Sequence, residues 1–239
     1  MSYKEKKIVL FLFSIIVGIL FTVTFIFALP DNPEITSISN STYSNTNNGF
    51  INISGGVIAK INLTANFQNT RWKAFAGNIT GKYTLSDSTG STIFDWTYSS
   101  TTGKIYSTRA SGSITWADVN CSSDTNLTDE NTQLFFGDSS DNITRTFDDT
   151  THSPFSAAGN TIYVNTCPTL NTYRNNVSQD TDFEEMILSD KIYSLYTTIL
   201  EDDTIGYDGA LYDFQMIVPE NASSAWSASL AYYLYVELD

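Results

Sequence analysis

The chain has 239 residues, enough for one domain with a substantial core beyond an N-terminal segment of about thirty. Asp and Glu outnumber Lys and Arg 26 to 12, for a net charge of -14, and three of the basic residues precede a hydrophobic run, so the body is more acidic still. Such a field repels phosphate backbones and anionic headgroups, which excludes nucleic acid as an expected partner.

Residues 1–29 read as a targeting segment. Lys4, Lys6 and Lys7 are followed at once by an uncharged stretch, residues 8–29, whose polar groups are only those of Ser14, Thr22 and Thr24. A positive flank keeps the N-terminus inside and puts the body outside. The run is long enough for a hydrophobic helix that spans a bilayer, which favours a retained signal anchor. Ile26-Phe27-Ala28, just before Pro30, also offers a small residue for cleavage of a signal peptide, and both outcomes stay open. A type IV pilin-like start would need a glycine after the basic residues, but Ile8 follows Lys7 directly.

Residues 30–48 are rich in Asn, Ser, Thr and Pro and are expected to be a linker. Ile35 and Ile38 interrupt its polarity, so it is also a candidate donor strand for a neighbouring copy. The remaining domain, 49–239, begins with clean alternation over 57–67: Val57, Ala59, Ile61, Leu63, Ala65 and Phe67 oppose Lys60, Asn62, Thr64 and Asn66, which predicts a half-buried strand. Residues 78–85 and 91–98 form the next pair. Asp87-Ser88-Thr89-Gly90 turns one into the other, and Phe94, Trp96 and Tyr98 share a face expected to point into the core.

Further strands are predicted over 104–109, 143–147, 161–166, 185–189, 192–200, 211–218 and 227–238. A helix is predicted where Leu127, Asn131, Leu134 and Phe135 fall at helical spacing, capped by Thr125 or Asn126 and ended by Gly137. The expected fold is mainly β: an antiparallel β-sandwich of jelly-roll or related Greek-key type, with one or two short helices. The 59 Ser and Thr and the 20 Asn supply its solvation, since only 16% of residues are charged.

Cys121 and Cys167 are the only cysteines, and outside a cell they are expected to form a disulfide. Nine Asn-x-Ser/Thr acceptors occur, at Asn40, Asn52, Asn62, Asn78, Asn120, Asn126, Asn142, Asn176 and Asn221. The single histidine, His152, lies in a polar loop without a G-x-S-x-G elbow and reads as a surface residue. Glu184-Glu185 and Glu201-Asp202-Asp203 read as solvated rims rather than a glycosidase pair. The acidic loops 137–142 and 201–209 lack EF-hand spacing, so turns are preferred to cation sites. Trp72, Trp116 and Trp226 would stack on sugars if exposed, whereas Trp96 is assigned to the core.

Gly55-Gly56 through Asn62-Leu63-Thr64, Arg71-Trp72, Gly77-Asn78-Ile79-Thr80-Gly81, Gly206-Tyr207-Asp208-Gly209, Tyr212-Asp213-Phe214-Gln215, Val218-Pro219-Glu220 and Tyr235-Val236-Glu237-Leu238 carry a resemblance. In these stretches the chain resembles a group of uncharacterised archaeal exported cell-surface proteins with a β-rich body. The resemblance implies an archaeal surface, where N-glycosylation is common, and transfers no active site. The residues together favour a non-enzymatic exported cell-surface protein without a cofactor: an envelope component, adhesin or filament subunit, in contact with the membrane through its N-terminal segment and with other surface proteins or itself. An extracellular carbohydrate- or cation-binding module is the alternative, and a secreted hydrolase ranks third.

Overall fold

The computed structural model describes residues 29–43, 52, 54–55, 57–62, 66–97, 101–112, 114–225 and 228–239. The N-terminal apolar run, apart from Leu29, lies outside the described residues, as do Tyr98 and Trp226. No helix among the described residues is long and apolar enough to cross a membrane.

The strands are β1 (Trp72–Gly77), β2 (Lys82–Ser86), β3 (Thr92–Thr97), β4 (Gly103–Thr108), β5 (Asn120–Cys121), β6 (Phe155–Ala157), β7 (Asn160–Ile162), β8 (Thr169–Asn171), β9 (Glu184–Ser189), β10 (Ser194–Ile199), β11 (Thr204–Ile205), β12 (Leu211–Tyr212), β13 (Phe214–Pro219) and β14 (Tyr233–Leu238). The helices are α1 (Asp124–Gln133) and α2 (Ile143–Thr146). Strand dominates, every pairing is antiparallel, and the fold is β-rich as the composition implies.

A six-stranded sheet runs β14-β4-β10-β9, with β5 and β8 sharing the outer edge of β9. Consecutive residues on its strands enter two different cores. Ile105, Ile187, Tyr196 and Val236 join one cluster, while Tyr106, Met186, Leu188, Leu195 and Tyr235 join the other. Because side chains alternate along a strand, both faces of this sheet are covered. The β1–β13 pair and both helices cover the first face, through Trp72, Phe214, Met216, Val218, Leu127, Leu134, Ile143 and Phe147. The second is covered by Ala110, Ile114, Trp116, Val119, the β6–β7 hairpin and the loop that carries Cys167.

Burial on both faces explains why β4 is buried at all six positions although its sequence does not alternate. At its start Gly103 has φ +139 and lies against the Glu237 carbonyl, where a side chain would collide with the β14 backbone.

The expected strands are found on β4, β9, β10, β13 and β14, and the predicted 78–98 hairpin forms as β2–β3. The hairpin turn is held by the Asp87 carboxylate, which accepts from the Thr89 and Ser91 amides, each at 2.9 Å. Other expectations are corrected. The described part of 57–67 contains no strand and is exposed, because an alternating pattern forms a strand only when another strand accepts its backbone groups. Residues 143–147 are not a strand: the Asn142 side chain accepts from the Arg145 amide at 2.9 Å and starts the one-turn helix α2. Helix α1 is capped by Ser123 in a reciprocal capping box with Asn126, and it is Phe135, at φ 60, that takes the left-handed position after it, two residues before Gly137.

The linker does not leave the body freely at its first residues. Pro30 is buried, and Asp31 forms an antiparallel bridge to Val236 on the edge strand β14, with N–O distances of 3.0 and 2.8 Å. Residues 32–43 are exposed and without regular structure.

Candidate functional site

Cys121 and Cys167 stand at disulfide distance, 1.98 Å between sulfurs, and join β5 to the loop entering β8. Cys167 is fully buried, and its amide donates to His152 Nε2 at 3.0 Å, as does the Thr166 amide. His152 is therefore not a surface residue: it is 2% exposed and organises the cystine loop. With Nε2 accepting twice, the ring proton sits on Nδ1 and donates to the Ser153 carbonyl at 2.7 Å. The neighbouring Ser153 and Glu184 do not form a catalytic relay with it. Glu184 accepts from the Ser153 amide at 3.1 Å, and the ring nitrogen that would serve as base is occupied by backbone amides.

Glu185 also departs from the expected rim. It is fully buried on β9 beneath β13; Oε2 accepts from the Ile217 amide at 2.8 Å, and Oε1 has no partner among the described residues. Burial pushes its carboxyl well above the ordinary value of 4.5, with the Ile217 hydrogen bond opposing only in part. A raised folded value makes the native state the better proton binder. The resulting stability is complete below pH 4.5 and is lost as pH rises through the raised value. Glu185→Gln is accordingly expected to flatten the pH dependence of unfolding above pH 4.5, where one such proton contributes a slope of up to about 1.4 kcal/mol per pH unit. Urea titrations of both proteins at several pH values check this, and parallel curves would remove Glu185 as the source.

Three acids of the two candidate cation loops, Asp141, Asp202 and Asp208, are turned onto the chain itself. Asp141 pairs with Arg71 at 2.7 Å and accepts from Asn69 at 3.0 Å; Asp202 accepts from the Thr101 amide, and Asp208 from Ala210 and the Tyr212 hydroxyl. Among the described residues no group of three His, Cys, Asp or Glu is placed to hold a metal. A shallow cavity of about 250 Å³ opens beside Cys121, between the Asp118–Lys191 ion pair and Asn120, Asn126 and Asn160, and is small for an organic ligand.

The acceptor asparagines divide by exposure. Asn40, Asn52, Asn62, Asn78, Asn120 and Asn176 are exposed, while Asn126 and Asn221 are half-buried. Asn142 is buried, with both side-chain atoms committed to the α2 cap and the Gly137 carbonyl, so a glycan there is incompatible with this fold.

The aromatic residues bring the main surprise. Trp72 and Trp116 pack against the two cores, but Phe94 and Trp96, assigned to the core from their shared face, are 57% and 50% exposed on β3. The alternation identified the face correctly; it carried no information on whether another layer would cover it. A second feature is readable from the sequence alone. Residues 35–86 contain Lys60, Arg71, Lys73 and Lys82 and no carboxylate, whereas residues 87–239 contain 23 carboxylates and five basic residues. The exposed hairpin spans the junction between the two.

Comparison of the chain with family models, with curated proteins and with solved structures finds no match.

Proposed function

We propose that this chain is a non-enzymatic exported cell-surface protein of archaeal type, an envelope component, adhesin or filament subunit, whose body is tethered by the N-terminal segment or released after cleavage. The observation that carries the reading is the Cys121–Cys167 bridge, which belongs to an oxidising compartment, in a chain led by a lysine-flanked apolar run. Six exposed acceptor asparagines accord with a glycosylated surface. The β1–β13 pair lying over the six-stranded sheet supports a sandwich of jelly-roll or related Greek-key type. Half-exposed Trp96 and Phe94 favour one rival, a carbohydrate-binding module, but their rings meet at 66° and offer a sugar no flat platform.

Protease added to intact cells is expected to digest the body, leaving at most a short N-terminal stub in the membrane. A body that survives until the cells are lysed would sink the proposal.

A further inference from the structure

Asn126 is a half-buried acceptor whose side-chain amide is held in one orientation. Its Oδ1 accepts from the Ser123 amide at 2.9 Å and from the Ser123 hydroxyl at 2.7 Å, as the return arm of the α1 capping box. A backbone N–H requires an oxygen acceptor, so the second atom of the amide is fixed as Nδ2. That Nδ2 has no partner among the described residues. Asn142 is the contrast, since the same acceptor motif there has both side-chain atoms committed.

Asn126 also lines the cavity beside Cys121. The other walls offer polar groups of both kinds. The Asp118–Lys191 ion pair, at 2.7 Å, lies on one side, and Asn160 gives Nδ2 to the Trp116 carbonyl while its Oδ1 has no partner among the described residues. Ala117 and Val119 add apolar surface. A volume of about 250 Å³ is the share of roughly eight waters. It is small for a free ligand but near the bulk of one sugar ring, whose C–H faces and hydroxyls suit a wall of this mixed kind.

We propose that Asn126 carries an N-linked sugar whose first ring sits in this cavity. Transfer forms a bond from Nδ2 to C1 of a phosphate-activated sugar donor and breaks the donor's C1–O bond. The phosphate leaves with the electron pair, and one Nδ2 proton passes to a base of the transferring enzyme. Oδ1 keeps its lone pairs, so the capping box survives. Covalent attachment removes most of the association cost that a free sugar would meet.

Asn120 lines the same cavity, but in Asn120-Cys121-Ser122 the middle residue is bridged and the hydroxyl residue is buried. In Asn126-Leu127-Thr128 the hydroxyl residue is exposed. A ring seated beside Asn126 covers Cys121, the half-buried end of the bridge.

The inference deepens the surface reading and rests on it in requiring export to a compartment where sugars are transferred. The full chain is isolated from its own cells, digested, and its peptides fragmented by electron transfer, which leaves a sugar on its residue. Sugar mass on Asn126 is expected in most molecules. Glycans on exposed acceptors such as Asn176 with Asn126 bare would overturn this proposal and leave the surface reading standing. No glycan on any acceptor would also overturn it, and the protease experiment then decides the surface reading separately.

Seating is tested with Thr128→Ala, which removes the acceptor motif but keeps Asn126 and its cap. The substitution also deletes the Thr128 hydrogen bond to the Asp124 carbonyl at 2.8 Å, so the same variant made in cells lacking the transferase supplies the baseline. Beyond that baseline, the glycosylated protein is expected to lose about 2–4 °C of melting temperature. Equal shifts in the two backgrounds would show a sugar that projects into solvent, and would overturn the seat.

Discussion

Replacing Cys121 and Cys167 together by serine is expected to lower the unfolding free energy by about 4 kcal/mol. The bridge closes a loop of 46 residues, and freeing it restores that loop's entropy to the unfolded chain. The native state has little with which to resist the loss locally. The sheet edge that the bridge secures consists of β5, two residues long, and β8, three residues long, which pair with the outer edge of β9 and gain one further bridge, from Thr169 to Asp149. Once the cystine is absent, that edge should also open first, so the backbone amides at positions 121 and 169 should exchange with solvent faster than those of β10. Urea denaturation gives the total and hydrogen exchange the location. An unchanged denaturation midpoint would mean that the 121–167 loop is already constrained in the unfolded chain.

Glu130→Ala is expected to cost about 3 kcal/mol. Glu130 is 4% exposed on α1 and receives the Arg109 guanidinium through Nε at 3.2 Å and Nη2 at 2.6 Å, along with the Tyr196 hydroxyl at 3.3 Å. Burial works to lower the Arg109 pKa, but the Glu130 charge and hydrogen bond outweigh it and raise it. Burial and the same carboxylate push the Tyr196 phenol up.

Truncation leaves a cation and a phenol without their acceptor at the contact between α1 and the central sheet. Breaking a buried pair costs about 3–5 kcal/mol, and the quarter of the Arg109 side chain that remains exposed places this case at the low end. Glu130→Gln keeps an acceptor for Tyr196 and should cost less. Equal losses for Ala and Gln would show that charge, rather than hydrogen bonding, dominates. A loss below about 1 kcal/mol for Ala would show that the pair behaves as an exposed one.

The sequence made the period of a strand legible and left its partner hidden. Ile192 through Leu200 reads as a strand because Leu195, Tyr196, Thr197 and Thr198 are β-formers, and β10 forms there as the centre of the sheet. Residues 57–67 alternate more cleanly and form no strand among the described residues, since nothing in a local pattern provides a neighbour to receive the backbone groups. The same limit explains Phe94 and Trp96, whose common face was identified but whose cover depends on another layer.

Buried polar residues were missed for the converse reason. His152 and Glu185 look like loop and rim residues, yet backbone amides from Thr166, Cys167 and Ile217, distant in sequence, converge on them and satisfy part of their hydrogen-bonding capacity. The cysteine pair needed no such knowledge, because a chain with two cysteines has one possible bridge within itself.

The Asp31–Val236 bridge has a mechanical consequence. In a body anchored through its N-terminus, a load arriving along the tether meets β14 before it meets β1, and what resists it there is one pair of hydrogen bonds. When that pair yields, the exposed and irregular residues 32–43 come under tension, a contour length of up to about 40 Å. Arg71, held by Asp141, then marks where force reaches the folded sheets. The Asp31–Val236 pair thus acts as a weak latch, and because Asp141 lies within the loop that Cys121 and Cys167 close, a pull passing through Arg71 arrives directly at the disulfide-closed part of the body.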